Sequence, residues 1–177
     1  IVYFSGITLA ILPPEGRSTL ISIARSARQA GKTVAFDPNI RPRLWASKDE
    51  MLATIAEAAG TASIVLPGFD DEAAHFGDGS IEETIARYRR SGGGDVVVKD
   101  GARGATLAIG SAQFHVPAHP AGAVVDTTSA GDSFNGGYLM RLAAGDDPEN
   151  AARFASRLAS SVIGHPGALI TRSALGL

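Results

Sequence analysis

The sequence predicts an α/β fold with three layers and a doubly wound, mostly parallel sheet. Two observations predict it. Short apolar, β-branched runs alternate along the chain with segments whose apolar residues recur at helical spacing. No internal repeat or low-complexity tract interrupts that alternation. At 177 residues the chain suffices for one domain with its own core and is short for two. Residues 1–177 are therefore read as one domain. A composition of 45% hydrophobic and 19% charged residues, with 21 glycines, is that of a globular protein rather than a disordered or fibrous one.

The elements follow in order. Ile1, Val2, Tyr3 and Phe4 open the chain as a buried strand. A start on Ile1, without Met or a polar frayed end, leads us to expect further sequence upstream. Leu20, Ile23, Ala24 and Ala27 mark a helix that Gly31 stops. Residues 33–37 read as a buried strand, broken by Pro38 into a loop. Ser47 with Glu50, and Ser80 with Glu83, form capping boxes that open two further helices. Between them lie a strand at 63–66 and short helical turns at 71–76. Val96, Val97 and Val98 are another buried strand, and 105–109 with 113–116 read as an antiparallel pair joined at Gly110 and Ser111. Val124 and Val125 read as a strand that runs into a helix starting near Ala130. A last helix takes Pro148 at its first turn.

Several function classes are excluded. Without cysteine there is no disulfide framework, thiolate metal site or cysteine nucleophile. A net charge of −2 with scattered arginines gives no footprint for nucleic acid, and no apolar run is long enough to span a bilayer. Small-molecule partners and a soluble, cytoplasmic protein are expected. Gly31-Lys32-Thr33 is not a Walker loop, because it precedes a strand and Ser26 stands where glycine is needed.

In parallel sheets ligands sit at the carboxyl ends of strands, which confines the chemistry to the loops after Asp37, Pro67, Lys99 and Thr127. The most informative stretch is Asp126-Thr127-Thr128-Ser129-Ala130-Gly131-Asp132-Ser133-Phe134. Small residues lead directly into a helix, so unpaired N–H groups and the positive end of the dipole form a cradle for an anion. Asp132 sets a carboxylate beside it. Phosphoryl transfer needs both: donors for the moving phosphoryl oxygens and a base for the attacking hydroxyl. The bland alternative is a capping aspartate among residues that merely pack closely.

The stretch closely resembles the signature of the ribokinase-like, or PfkB, family of sugar kinases, usually Asp-Thr-x-Gly-Ala-Gly-Asp. Ser129 departs from the commonest glycine. The resemblance implies a ribokinase-like fold, Asp132 as catalytic base, and Ser129, Ala130 and Gly131 as the anion hole. Asp37-Pro38-Asn39-Ile40-Arg41 resembles the Asp-Pro-Asn-x-Arg loop of the family's fructokinase and 2-keto-3-deoxygluconate kinase branch, which implies that Arg41 holds the substrate's acid group. Read alone, Arg41 is a solvated loop arginine and Trp45 core packing. Val98-Lys99-Asp100-Gly101-Ala102-Arg103-Gly104 is similar to the family's turn beside the nucleotide, bringing in Lys99, Gly101 and Gly104. Ser156 falls in the helix that walls the adenine. Asp70-Asp71-Glu72 and the opening Ser5 to Ala10 are similar to the 2-keto-3-deoxygluconate kinase branch. There Glu72 takes the place of a glutamate that orders magnesium indirectly; read alone, it is a solvated helix start.

What the resemblance implies is ATP-dependent phosphorylation of 2-keto-3-deoxygluconate at its 6-hydroxyl, with ATP and Mg2+ as cofactors and a monovalent cation left open. A homo-oligomer is the expected state of the full-length protein. Fructokinase is the alternative within the family. From other classes come a serine hydrolase using Ser133, for which no histidine has a suggestive spacing, and a noncatalytic nucleotide-binding module. The resemblance covers only the later part of longer family members, without their first strands and small β lid. The 177 residues alone are therefore expected to keep weak nucleotide binding and little turnover.

Overall fold

A computed structural model describes residues 1–171. Six strands, β1 (Val2–Ser5), β2 (Val34–Asp37), β3 (Ile64–Val65), β4 (Asp95–Lys99), β5 (Ala105–Ile109) and β6 (Ala112–Val116), form a sheet in that order. β1 to β4 run parallel, with Phe4 opposite Phe36, Phe36 opposite Val65 and Val65 opposite Val96. β5 and β6 flank a two-residue turn at Gly110 and Ser111, which forces them antiparallel. The α/β expectation therefore holds, with a mixed sheet. The helices are α1 (Gly6–Ile11), α2 (Pro14–Gln29), α3 (Lys48–Thr61), α4 (Phe69–Phe76), α5 (Ile81–Arg90), α6 (Ala130–Ala143) and α7 (Pro148–Ile163). Among the described residues no helix is long and apolar enough to cross a membrane.

Two compact units divide the chain: Ile1–Val98 with Ala108–Gln113, and Lys99–Leu107 with the chain from Phe114 onward. In the first, parallel strands follow one another in sequence order. Right-handed crossovers therefore carry the intervening helices over one face, where α2 meets α3 and α3 meets α5. That face buries Phe36, Ile55, Met51, Val65 and Tyr88 almost completely, each large side chain contributing roughly 1.5–3 kcal/mol by leaving water. In the second unit α6 lies along α7. Gly137 allows this approach, since a Cβ there would sit 3.0 Å from Leu158 Cδ2 and 3.2 Å from Ala155 Cα.

The caps form in part as the sequence suggests. Ser47 accepts from the Glu50 amide at 3.1 Å and Ser80 from the Glu83 amide at 3.2 Å. The return halves of both boxes are diverted. Glu50 pairs with Arg17, and Glu83 accepts from the Gly79 amide at 2.7 Å. One helix was not foreseen and one expected strand is corrected. Ser5 to Ala10 contain a helix, α1, capped by the Ser5 hydroxyl at the Thr8 amide. Val124 and Val125 form no strand; both are exposed, and the amides of Val125 and Asp126 are taken by the Ile163 carbonyl at 2.8 and 3.2 Å.

Candidate functional site

The second unit holds the first turn of α6, and the run of small residues explains its shape. Ser129 precedes the helix in the left-handed conformation, φ 60°, and makes no side-chain cap. A turn of that kind brings the chain sharply into the helix, and the first intrahelical bond runs from the Ser133 amide to the Ser129 carbonyl at 2.8 Å. Ala130 donates to the Thr127 carbonyl at 3.2 Å, which removes its amide from the anion hole expected of it. The amides of Gly131 and Asp132 meet no backbone carbonyl among the described residues. Asp132 is exposed and joins no ion pair there. Two free amides, the positive end of the helix and one carboxylate thus share one small surface.

Ser129 carries a cost that glycine would not. A non-glycine residue in the left-handed region costs about 1–2 kcal/mol, and glycine loses roughly 0.5–1 kcal/mol more chain entropy on folding. Ser129→Gly is therefore expected to stabilise the protein by about 0.5–1 kcal/mol, read as a higher urea midpoint with an unchanged slope.

Lys99 ends β4, half-buried, and its ammonium donates to Asn135 Oδ1 at 3.1 Å. The same Nζ lies 3.6 Å from the position a Gly131 Cβ would take. Lys99, Gly131 and Asn135 thus converge on the start of α6. Gly101 begins a single 3-10 turn, Gly101–Arg103, at φ 54°. Arg103 holds that turn with two bonds of 2.6 Å to the Asp100 carboxylate. Gly104 has a positive φ of 102°, and a Cβ there would lie 2.2 Å from the Val116 carbonyl oxygen. The backbone conformation and this close approach each require glycine there. The Ser156 hydroxyl accepts from the His119 amide at 2.7 Å. Beside it, a groove of about 720 Å3 is lined by Pro117, Arg141, Phe154 and Arg157, and by neither Lys99 nor Asp132. The Asp126 carboxylate accepts from the Thr128 amide at 2.8 Å and the Gly167 amide at 2.9 Å. Bonds from Thr128, then Gly167, hold it below the usual carboxylate range. His115 and His165 bond Thr106 and the Ser161 carbonyl, not Ser133.

Arg41 lies in the first unit, half-exposed, in the loop after β2. Its Nη1 donates to the Ile40 carbonyl at 2.7 Å and stands 3.7 Å from Asp71 Oδ2. Burial raises the Asp71 carboxyl, while Arg41 and His75 oppose that rise. The loop is anchored from behind. Arg17 donates to the carbonyls of Leu9 and Leu12 at 2.7 and 3.0 Å, pairs with Glu50, and lies 4.8 Å above the Trp45 ring. Trp45 is core packing, as its own chemistry suggests.

Glu72 is placed otherwise than the resemblance implies. It is fully buried, 0% exposed. Its Oε2 accepts from Arg87 at 2.6 Å and from the Tyr88 hydroxyl at 2.9 Å, and Arg87 also grips Asp78 at 2.6 Å. The guanidinium cannot fully compensate two carboxylates. Asp78 is held below its usual range by its bonds to Arg87 and Thr84, whereas burial pushes Glu72 up to about 7. A carboxylate so enclosed does not face a hydrated cation, so the metal assignment to Glu72 is withdrawn. Asp70 is the exposed acid of that turn, while Asp71 is partly buried beside Arg41. Helical spacing carried this signal: Phe69, Glu72 and Phe76 share one face, whose aromatic residues pack against the core. Asn135, missed in the sequence, was likewise marked by its place one turn after Gly131. Among the described residues, no group of three or more acidic or histidine side chains could hold a metal.

The model of the pfkB family of carbohydrate kinases matches residues 1–174. A 2-dehydro-3-deoxygluconokinase of Escherichia coli is 44% identical over an alignment of 177 positions that covers 98% of this chain and 57% of the relative. An aminoimidazole riboside kinase of Salmonella enterica, solved with aminoimidazole riboside and an ATP analog, superposes with a TM-score of 0.84 at 32% identity, covering 98% of this chain and 58% of that one. A fructokinase of Vibrio cholerae, solved with fructose, ADP and calcium, gives 0.85 at 28% identity over the same shares. The chain thus spans little more than half the length of the proteins it matches, and on these likenesses it belongs to the pfkB family of carbohydrate kinases.

Proposed function

We propose that the full-length protein bearing this chain transfers the γ-phosphoryl group of ATP to the 6-hydroxyl of 2-keto-3-deoxygluconate, the sugar acid also called 2-dehydro-3-deoxygluconate. The observation that carries the reading is the first turn of α6, where the exposed Asp132 carboxylate, the free amides of Gly131 and Asp132 and the Lys99 ammonium occupy one surface. Asp132 accepts the proton of the hydroxyl as its oxygen attacks phosphorus; the new O–P bond forms while the bond to the β-phosphate oxygen breaks, and ADP leaves. The two amides and Lys99 hold the charge that spreads over the phosphoryl oxygens in transit. Mg2+ would reach such a site largely on the nucleotide's own phosphates, needing only one or two protein carboxylates. Gly101, Gly104 and Ser156 lie on the nucleotide side of this reading. Arg41 takes the sugar's carboxylate, since a guanidinium matches that group in a bidentate manner.

The choice of sugar acid rests on the 44% identity to 2-dehydro-3-deoxygluconokinase. Fructokinase is the second reading, favoured by the fructose-bound likeness. A coupled assay of ADP release by the full-length protein, with the two sugars side by side, separates them. We expect kcat/KM to favour 2-keto-3-deoxygluconate at least tenfold; a preference for fructose would overturn the assignment.

A further inference from the structure

Arg17 stands near the start of α2, the positive helix end, where a cation is disfavoured. Its guanidinium turns instead to the carbonyls that close α1, with Nε 2.7 Å from the Leu9 oxygen and 3.0 Å from that of Leu12, and Nη2 3.4 Å from that of Ala10. The last carbonyls of a helix lack partners within it and carry the negative end of its dipole, so one cation answers both. Nη1 pairs with Glu50, and Cζ lies 4.8 Å above the Trp45 ring. The side chain is 14% exposed, and electrostatic contacts so far out of water are the stronger for it.

Trp45 matters through what its backbone closes. Its amide donates to the Pro42 carbonyl at 3.1 Å and the Leu44 amide to the Arg41 carbonyl at 3.0 Å, so a single 3-10 turn separates Arg41 from the ring beneath Arg17. At the other end of the loop α1 presses close: a Cβ on Gly6 would lie 1.9 Å from the Pro38 carbonyl oxygen. Between these supports Asn39 keeps a positive φ of 34°, a conformation that persists where the surroundings impose it. The Arg41 side chain is half-exposed, so its aim depends largely on the backbone that carries it.

We propose that Arg17 is a positioning residue for substrate binding: by gripping α1 and Trp45 together it holds residues 38–45 so that Arg41 meets the carboxylate of the sugar acid in bidentate fashion. The inference rests on the role proposed above for Arg41 and adds the support on which that role depends. Bidentate recognition is geometrically exacting, and a displacement of about 1 Å can cost about 100-fold. From a support one turn away a loss of about tenfold is expected.

Steady-state kinetics of the full-length protein test this. Arg17→Met should raise KM for 2-keto-3-deoxygluconate about tenfold, with kcat and the KM for ATP within about twofold of the parent, the pattern of lost substrate binding rather than lost chemistry. Trp45→Leu should approach the same KM. Arg41→Met should raise it at least as much, and Arg17→Met combined with Arg41→Met should be no worse than Arg41→Met alone, because the support then has nothing to aim. Should Arg17→Met fail to fold, Arg17→Lys and Glu50→Gln, which each keep part of the grip, are read in its place, with a rise of about threefold expected. A parent-like KM in the Arg17 variant or in Trp45→Leu overturns the proposal, as do equal falls in kcat and kcat/KM, or additive losses with Arg41→Met. A parent protein that does not phosphorylate 2-keto-3-deoxygluconate, or an Arg41→Met variant with the parent's KM, overturns the reading of Arg41 itself, and is seen before any Arg17 variant is made.

Discussion

Asp132→Asn in the full-length protein should lower kcat by about 10^2- to 10^4-fold, the range a positioned general base supplies, while ATP affinity stays within about twofold. The reasons are local. Asp132 is exposed at the first turn of α6, so an amide of the same size fits without repacking. Its backbone N–H, which remains, supplies the contact to phosphate. Losing a negative charge at the positive helix end costs only about 0.3–1 kcal/mol, too little to unfold the protein. Steady-state rates with a calorimetric titration of ATP separate the two effects, and a variant of normal kcat would remove the general-base assignment.

The second large effect concerns stability. Arg87→Met should destabilise the full-length protein by about 3–5 kcal/mol at pH 8, the cost of leaving a buried charge uncompensated. Arg87 is the cation that Glu72 and Asp78 share, and it lies 3.7 Å over the Phe76 ring and 4.3 Å over Tyr88. Burial puts Glu72 at about 7, above its ordinary value of 4.5. A carboxyl raised on folding binds its proton more tightly in the native state. Its contribution is therefore fully present below pH 4.5 and is lost as pH rises through 7, by roughly 3 kcal/mol at most. The Arg87→Met penalty should accordingly shrink at pH 5. Glu72→Gln should flatten this pH dependence and stabilise the protein at pH 8. Urea unfolding at both pH values decides it: the same loss of stability between pH 5 and 8 in Glu72→Gln as in the parent would show that Glu72 is not the titrating group.

Elements whose signal is local were legible in the sequence. Ser47, Ser80 and Pro148 announce helices, and Val96 to Val98 a strand, because caps and β-branched runs act through their immediate neighbours. Residues defined by partners far along the chain were not. Glu72 is adjacent to Asp71, yet one faces Arg87, fifteen residues on, and the other Arg41, thirty residues back. Only the helical phase of α4 separates them. Val124 and Val125 have the composition of a strand, but their backbone is claimed by Ile163, a contact no periodicity encodes. For the site, the run from Asp126 to Asp132 was recognisable because a strained entry, free amides and a carboxylate all lie within seven residues. The support given by Asn135 to Lys99 spans 36 residues and became visible only in three dimensions.

Asp126 has one further consequence. Its carboxylate bonds Thr128 at the entrance of α6 and Gly167 beyond the exit of α7, and the neighbouring amides grip Ile163. The beginning and the end of the helical hairpin are thereby fastened to one side chain, so neither can fray while the other stays shut. Amide hydrogens at both places should exchange with deuterium in a single concerted opening, and Asp126→Ala should split that event into two independent, faster ones.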